Sequence, residues 1–377
     1  MLLHAVSVGE VNALRELVPL LTPWVRVVIS VGTDTGIAQA RKLFGTLCDV
    51  VRYPLDFSWA VGRFLDAVRP DAVALVELEL WPNFVRACRG RGVPVCIING
   101  RLSARSYKGY RKLRLVLERV FSSLAFVAAQ DESYAERFVA MGVARDRCIV
   151  TGSMKWDTAR IEGEVIGAEE LAREMGIDRA RPLVVAGSTA EGEERLLDAA
   201  VGEGAQLLCA PRKPERFGQA AADLPGCARR SLGAAARGAG ASPPRTDGRP
   251  GRFLLDTLGE LRKAYALADV VVIGRTFVDL GGSDPIEPIG LGKATVVGPH
   301  VRNFEEIVRA FEERGGLVRA TREDVGAVIA RLLGSAGERE QIAQRGRDVI
   351  RERQGASRMH AEMVLELVGL APGASTA

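Results

Sequence analysis

The sequence predicts an α/β protein of two units, each a mainly parallel sheet covered by helices on both faces. Short apolar runs rich in β-branched residues alternate with amphipathic stretches from Leu3 to Val150, the rhythm of successive βαβ turns. A polar, helix-patterned stretch from Ala159 to Arg181 interrupts that rhythm, which restarts at Leu183. A length of 377 residues exceeds what one core serves comfortably, and 41 glycines suit many strand-to-helix turns. The expected units are therefore residues 1–160 and 161–377, with 229–252, rich in Ala, Gly, Pro and Arg, as a flexible loop that begins in a short strand.

Composition narrows the function classes. A net charge of +4, dispersed along the chain and without a nucleic-acid-binding motif, argues against a nucleic-acid partner. Six cysteines with no C-x-x-C pair read as buried thiols of a reducing compartment. With only His4, His300 and His360 and no H-E-x-x-H, no metal site is predicted. No apolar run approaches the roughly 18 residues of a spanning helix, so a cytoplasmic address without a transmembrane helix is expected.

In parallel sheets ligands bind beyond the carboxyl ends of strands, so the residues after each apolar run carry the chemistry. The first run, Leu3 to Val8, leads into Gly9-Glu10 and an apolar stripe of Leu14, Leu17 and Leu21. Glu10 is then either a general base on the crevice side or a first-turn glutamate favoured by the helix dipole. The run Val25 to Val31 leads into Thr33-Asp34-Thr35-Gly36, and Val50 to Tyr53 follows it. After Ala72 to Val76 comes Glu77-Leu78-Glu79-Leu80-Trp81-Pro82-Asn83; alternation puts both glutamates on one side, with Glu77, next to the strand end, the better candidate for the crevice. After Val93 to Ile98, six basic residues fall between Arg101 and Arg114, interleaved with Tyr107 and Tyr110. They form either a surface for anionic lipid or a solvated face. The runs Ala125 to Ala129 and Cys148 to Val150 close the first half, and Lys155 follows near the seam between units, where it can offset charge on a leaving phosphate.

In the second half, Leu183 to Ala186 and Gln206 to Ala210 read as strands, the latter ending in Pro211-Arg212-Lys213-Pro214. Two prolines aim Arg212 at the crevice, where a guanidinium can grip phosphate or carboxylate through paired hydrogen bonds. Thr257-Leu258-Gly259-Glu260 begins an amphipathic helix. Val270 to Ile273 is a buried strand, followed by Gly281-Gly282 and the turn Asp284-Pro285-Ile286-Glu287-Pro288. A helix start at Asp284 to Glu287 offers free N–H groups to phosphate and Glu287 can accept from sugar hydroxyls, which makes a nucleotide-sugar pocket the functional reading and a surface loop the plain one. Ala294 to Val297 is a further strand, Gly298 onward starts a helix, and Asp324 to Leu370 reads as helices that fold back over the first unit.

In this order the segments HAVSVGE (4–10), TDTG (33–36), ELELWPN (77–83), NGRLSARSY (99–107), TGSMKWD (151–157), AGSTAEGE (186–193), PRKPERF (211–217), DTLGEL (256–261), GGSDPIEP (281–288) and GPHVRNFEEI (298–307) resemble the 3-deoxy-D-manno-octulosonic acid (Kdo) transferases of lipopolysaccharide synthesis. The resemblance implies a type B glycosyltransferase (GT-B): two Rossmann-like domains with the active site in the cleft between them. It implies an inverting, metal-independent transfer of Kdo from CMP-Kdo, without a cofactor, to a lipid A precursor (lipid IVA). By similarity Glu10 is the base, Glu77 and Lys155 stabilise the transition state, and Pro211, Arg212, Leu258, Gly259, Glu260, Asp284, Pro285, Ile286 and Glu287 hold CMP. The expected place is the cytoplasmic face of the inner membrane, in peripheral contact through the basic stretch after Asn99. The chain departs from the family at Lys213, where PRHPERF is usual, and at Ser283 and Asp284, where GGHNP is usual. These departures keep open a donor other than CMP-Kdo within the same architecture, or a non-catalytic descendant that binds lipid or nucleotide.

Overall fold

The computed structural model describes residues 1–233 and 251–370. The chain divides into two compact units, one formed by Met1–Thr158 together with the residues from Arg353 on, the other by Ala159–Glu352.

The first unit holds the strands β1 (Leu2–Ala5), β2 (Val28–Val31), β3 (Asp49–Arg52), β4 (Val73–Val76), β5 (Val95–Gly100), β6 (Val127–Ala129) and β7 (Cys148–Val150). They form one parallel sheet in the order β3-β2-β1-β4-β5-β6-β7. Apart from β3 and the outer part of β7 these strands are buried, because helices cover both faces and leave no side of the pleat to water. On one face Leu3, Ala5, Ile29 and Val31 pack with Leu14, Leu17 and Leu21; on the other Leu2, Val73, Leu75 and Ile97 pack with Phe84, Phe121 and Phe138.

In the second unit β8 (Leu183–Thr189), β9 (Gln206–Pro211), β10 (Ala228–Arg229), β11 (Arg252–Leu254), β12 (Val270–Ile273), β13 (Ala294–Val297) and β14 (Val318–Arg319) form another parallel sheet, ordered β10-β11-β9-β8-β12-β13-β14. Both sheets reverse their winding once, at β1/β4 and at β8/β12. Such a switch point opens a crevice at the carboxyl ends of the two strands.

The domain assignment needs one correction. Residues 161–377 do not all belong to the second unit: the chain returns at Arg353, and the helix Ala356–Leu367 buries Ala356, Ala361, Val364 and Leu365 in the first unit's core. Asp157 accepts from the Gly355 amide at 2.6 Å and the Ser357 amide at 2.5 Å, and His360 Nε2 meets Thr151 Oγ1 at 2.7 Å. This return agrees with the fold-back expected of the last helices, although the chain up to Glu352 stays with the second unit.

The loop assigned to 229–252 begins in the short strand expected at its start and is corrected at its far end. Arg229 lies in β10, and Arg252 opens β11 fully buried, with its guanidinium on Asp198 and the Val201 and Ala205 carbonyls. An arginine reads as solvent-exposed in a sequence, whereas here buried acceptors satisfy it. Residues 234–250 lie outside the described residues. The helices expected around Thr257–Glu260, Asp284–Glu287 and Gly298–Glu306 start at Leu261, Ile286 and Glu305.

Candidate active site

The first unit's switch point brings together residues far apart in sequence. β1 ends at Ala5, earlier than the apolar run to Val8 implies, because Ser7 caps the helix Val8–Ala13. Glu10 N–H donates to Ser7 Oγ at 3.3 Å, Ser7 Oγ donates to Glu10 Oε1 at 2.8 Å, and the Val6 amide donates to Oε2 at 2.7 Å. This is a capping box, S-x-x-E, so the first-turn role of Glu10 is realised. It leaves chemistry open, since each carboxylate oxygen keeps a further lone pair. Burial raises the proton affinity of Glu10, the nearby charge of Glu77 adds to it, and the Val6 and Ser7 hydrogen bonds oppose it.

Glu77 follows β4, the partner of β1 across the switch point. Its φ of 60° is left-handed, a conformation few side-chain-bearing residues adopt and one that clusters at functional sites. Alternation therefore stops at Val76 and does not govern where Glu77 and Glu79 point. Lys155 Nζ lies 4.0 Å from Glu77 Oε1.

Glu79, two residues on, belongs to the same neighbourhood. Burial, the charge of Glu10 and the charge of Glu77 push its carboxyl up to about 7, against a hydrogen bond from Trp81. The same charge reaches the phenol of Tyr110, on the basic helix Ala104–Arg111, adding to burial in pushing it up. Three acids, Glu10, Glu77 and Glu79, thus share one electrostatic environment with Lys155 at its edge. The signal in the sequence was the paired E-L-E beside a tryptophan.

In the second unit the expected donor residues differ in how fully partners within the fold engage them. Arg212 follows β9 and is exposed, its amide bonded to the Thr189 carbonyl at 3.1 Å. Arg216, four residues on, is spent: it holds the fully buried Glu194 through Nη1–Oε1 at 3.0 Å and Nη2–Oε2 at 3.1 Å. Tyr265 marks where the charges meet, because Glu287 and Asp284 add to burial in pushing its phenol up while Arg212 opposes them. Gly187 is required beneath it, since a Cβ there would collide with the Tyr265 hydroxyl.

Asp284 Oδ1 accepts the Ile286 amide at 2.9 Å, ahead of the helix Ile286–Gly290, so part of its charge caps that helix. Glu287 Oε1 receives Arg262 at 3.4 Å. Pro285 and Ile286 are buried, as is Pro211 at the end of β9. Leu258, exposed, and Gly259, at φ 88°, form a turn. Glu260 is gripped by Arg230 at 3.0 and 3.2 Å and by Thr257 at 2.6 Å, and these partners, Arg230 foremost, hold its carboxyl below the ordinary value. Its carboxylate secures the turn.

Glu193, the last residue of the AGSTAEGE segment and given no role there, is fully buried and takes the amides of Ala190 at 2.8 Å, Arg275 at 2.6 Å and Phe277 at 2.9 Å. It ties the two loops of the second switch point to each other.

Two Rossmann-like domains, one with an acid cluster and a lysine at its switch point and the other with an arginine, a glycine loop and two acids, make up a GT-B architecture, the class to which glycosyltransferases of this kind belong. Residues 1–158 match the family model described as 3-Deoxy-D-manno-octulosonic-acid transferase (kdotransferase). The 3-deoxy-D-manno-octulosonic acid transferase of Bordetella pertussis is 32% identical over 386 residues, covering 97% of this chain and 87% of that protein. That of Haemophilus influenzae is 31% identical over 365 residues, covering 94% and 84%. The chain belongs to the Kdo transferase family. A putative UDP-N-acetylglucosamine 2-epimerase from Listeria monocytogenes shares the fold alone, with a TM-score of 0.62 at 15% identity over 97% of this chain and 95% of that one.

Proposed function

We propose that the protein transfers Kdo from CMP-Kdo to a lipid A precursor, lipid IVA, by an inverting displacement without a metal or cofactor. The observation that carries the reading is the group of Glu10, Glu77 and Glu79 at the first switch point with Lys155 beside it. Glu10 accepts the proton of the acceptor hydroxyl as its oxygen attacks the anomeric carbon of Kdo. The bond from that carbon to the CMP phosphate breaks, and CMP leaves with the electron pair. A carboxylate whose proton affinity is raised by burial suits a general base near neutral pH. Lys155 and Arg212 offset the charge developing on the phosphate, and Asp284 and Glu287 accept from donor hydroxyls.

The acceptor is a lipid, and the surface beside the acid cluster fits contact with an anionic bilayer at the cytoplasmic face of the inner membrane. The helices Ala104–Arg111 and Arg114–Phe121 expose Leu113 and Val116 beside Lys108, Arg111, Lys112 and Arg114. Apolar residues among cations are what a peripheral contact with anionic headgroups uses. No helix among the described residues is long and apolar enough to cross a membrane.

The test is turnover by purified protein with CMP-Kdo and lipid IVA, followed by mass spectrometry of the lipid, for the parent chain and Glu10→Gln. Kdo-lipid formed by the parent and lost on the order of 10²-fold or more in the variant is expected. Unchanged turnover in Glu10→Gln overturns the base assignment. Tighter binding of a UDP-sugar than of CMP-Kdo overturns the donor, the outcome that the Ser283-Asp284 departure would favour.

A further inference from the structure

We infer that Asn99 is a positioning residue whose side chain, by holding the Met154 amide, sets the next residue, Lys155, against Glu77. The inference rests on the reading of Lys155 above and adds a residue to which no role was assigned.

Asn99 lies one residue beyond Ile98 on β5, and the register Val76 to Ile98 places it beside Glu77, the residue after β4. It is fully buried. Its φ is 51°, so adjacent strands each carry a left-handed residue with a side chain at the same level, Glu77 and Asn99. Asparagine is among the few residues that enter this region readily. Glycine would enter it more easily, so the side chain is kept for another reason. Its Oδ1 accepts the Met154 N–H at 3.0 Å, and its main-chain oxygen accepts Gln130 Nε2 at 2.9 Å. Its Nδ2 is buried without a hydrogen-bond partner, a cost a purely packing residue would not carry.

Lys155 needs such an anchor. Its own amide makes only a long bond to Ser153 Oγ, 3.4 Å, and its carbonyl accepts Thr158 Oγ1 at 2.8 Å from within the same turn. Met154 is fully buried, so fixing its amide fixes where the lysine leaves the core. A lysine stem has several rotatable bonds, and holding its root shortens the search for the ion pair.

The test is a double-mutant cycle on kcat with Asn99→Gly and Lys155→Ala. Glycine keeps the left-handed backbone and removes only the side chain. Asn99→Gly is expected to lower kcat about tenfold with KM for CMP-Kdo little changed, and to have no further effect once Lys155 is alanine. Effects that multiply overturn the inference. Amide hydrogen exchange reads the same point without turnover: Met154 and Lys155 exchange faster in Asn99→Gly and stay protected in Asn99→Asp, which retains the acceptor. Unchanged exchange in Asn99→Gly overturns the anchor. If Lys155→Ala leaves kcat intact, the role of Lys155 falls, and exchange alone then decides for or against Asn99.

Discussion

Lys155 Nζ stands 4.0 Å from Glu77 Oε1, with the two side chains 29% and 22% exposed, half sheltered at the mouth of the first switch point. A pair this long and this wet contributes on the order of 1 kcal/mol or less to stability. Lys155→Ala should therefore shift thermal unfolding little while lowering kcat on the order of 10²-fold, as loss of a charge that stabilises a leaving phosphate does. Thermal unfolding and single-turnover transfer, measured on one preparation, check both halves; a large fall in Tm with intact kcat contradicts the assignment.

Glu77 should show a trade of stability for activity. Its left-handed backbone is strained for a residue with a Cβ, so Glu77→Gly is expected to stabilise the protein by about 1 kcal/mol. Turnover should nevertheless collapse, because the carboxylate facing Lys155 is gone. Denaturant titration beside an activity assay reads both, and a destabilised variant would show that strain is not the dominant cost.

Glu79 gives the protein a pH signature. Its carboxyl titrates near 7 when folded, against an ordinary value of 4.5, so between those two pH values the folded state holds a proton that the unfolded state has released. Stability from this group is complete below about 4.5 and is lost as pH rises through about 7. Glu79→Gln removes the titration and should be more stable than the parent at pH 8, with the gap closing towards pH 5. Urea unfolding at the two pH values decides it; a gap that does not vary with pH excludes Glu79 as the titrating group.

The two arginines after β9 should separate cleanly. Arg216→Ala strands the buried Glu194 carboxylate and is expected to cost about 3 kcal/mol of stability. Arg212→Ala, at an exposed position, should leave Tm unchanged and weaken CMP binding on the order of tenfold or more, measured by calorimetry. Equal effects of the two on CMP binding would place the nucleotide elsewhere.

The parallel sheets and the placement of Glu10 after β1 and Glu77 after β4 were legible in the sequence, because buried parallel strands are written as continuous apolar runs whose ends mark the crevice. Glycine and proline punctuation likewise marked the loops at Arg212 and Asp284-Pro285. What those signals could not carry was environment. Whether Glu77 or Glu79 is buried depends on a left-handed turn and on Glu10 arriving from another strand, and burial, not spacing, decides where a carboxyl titrates. Arg212 and Arg216 look alike in sequence and differ only because Glu194 lies within reach of one of them. Local propensity and periodicity, which act over a few residues, determined the elements and their order; the point at which the chain leaves the second unit, the Asn99 to Met154 anchor and the shared field of three acids arise from contacts between distant segments, which only the folded chain brings together.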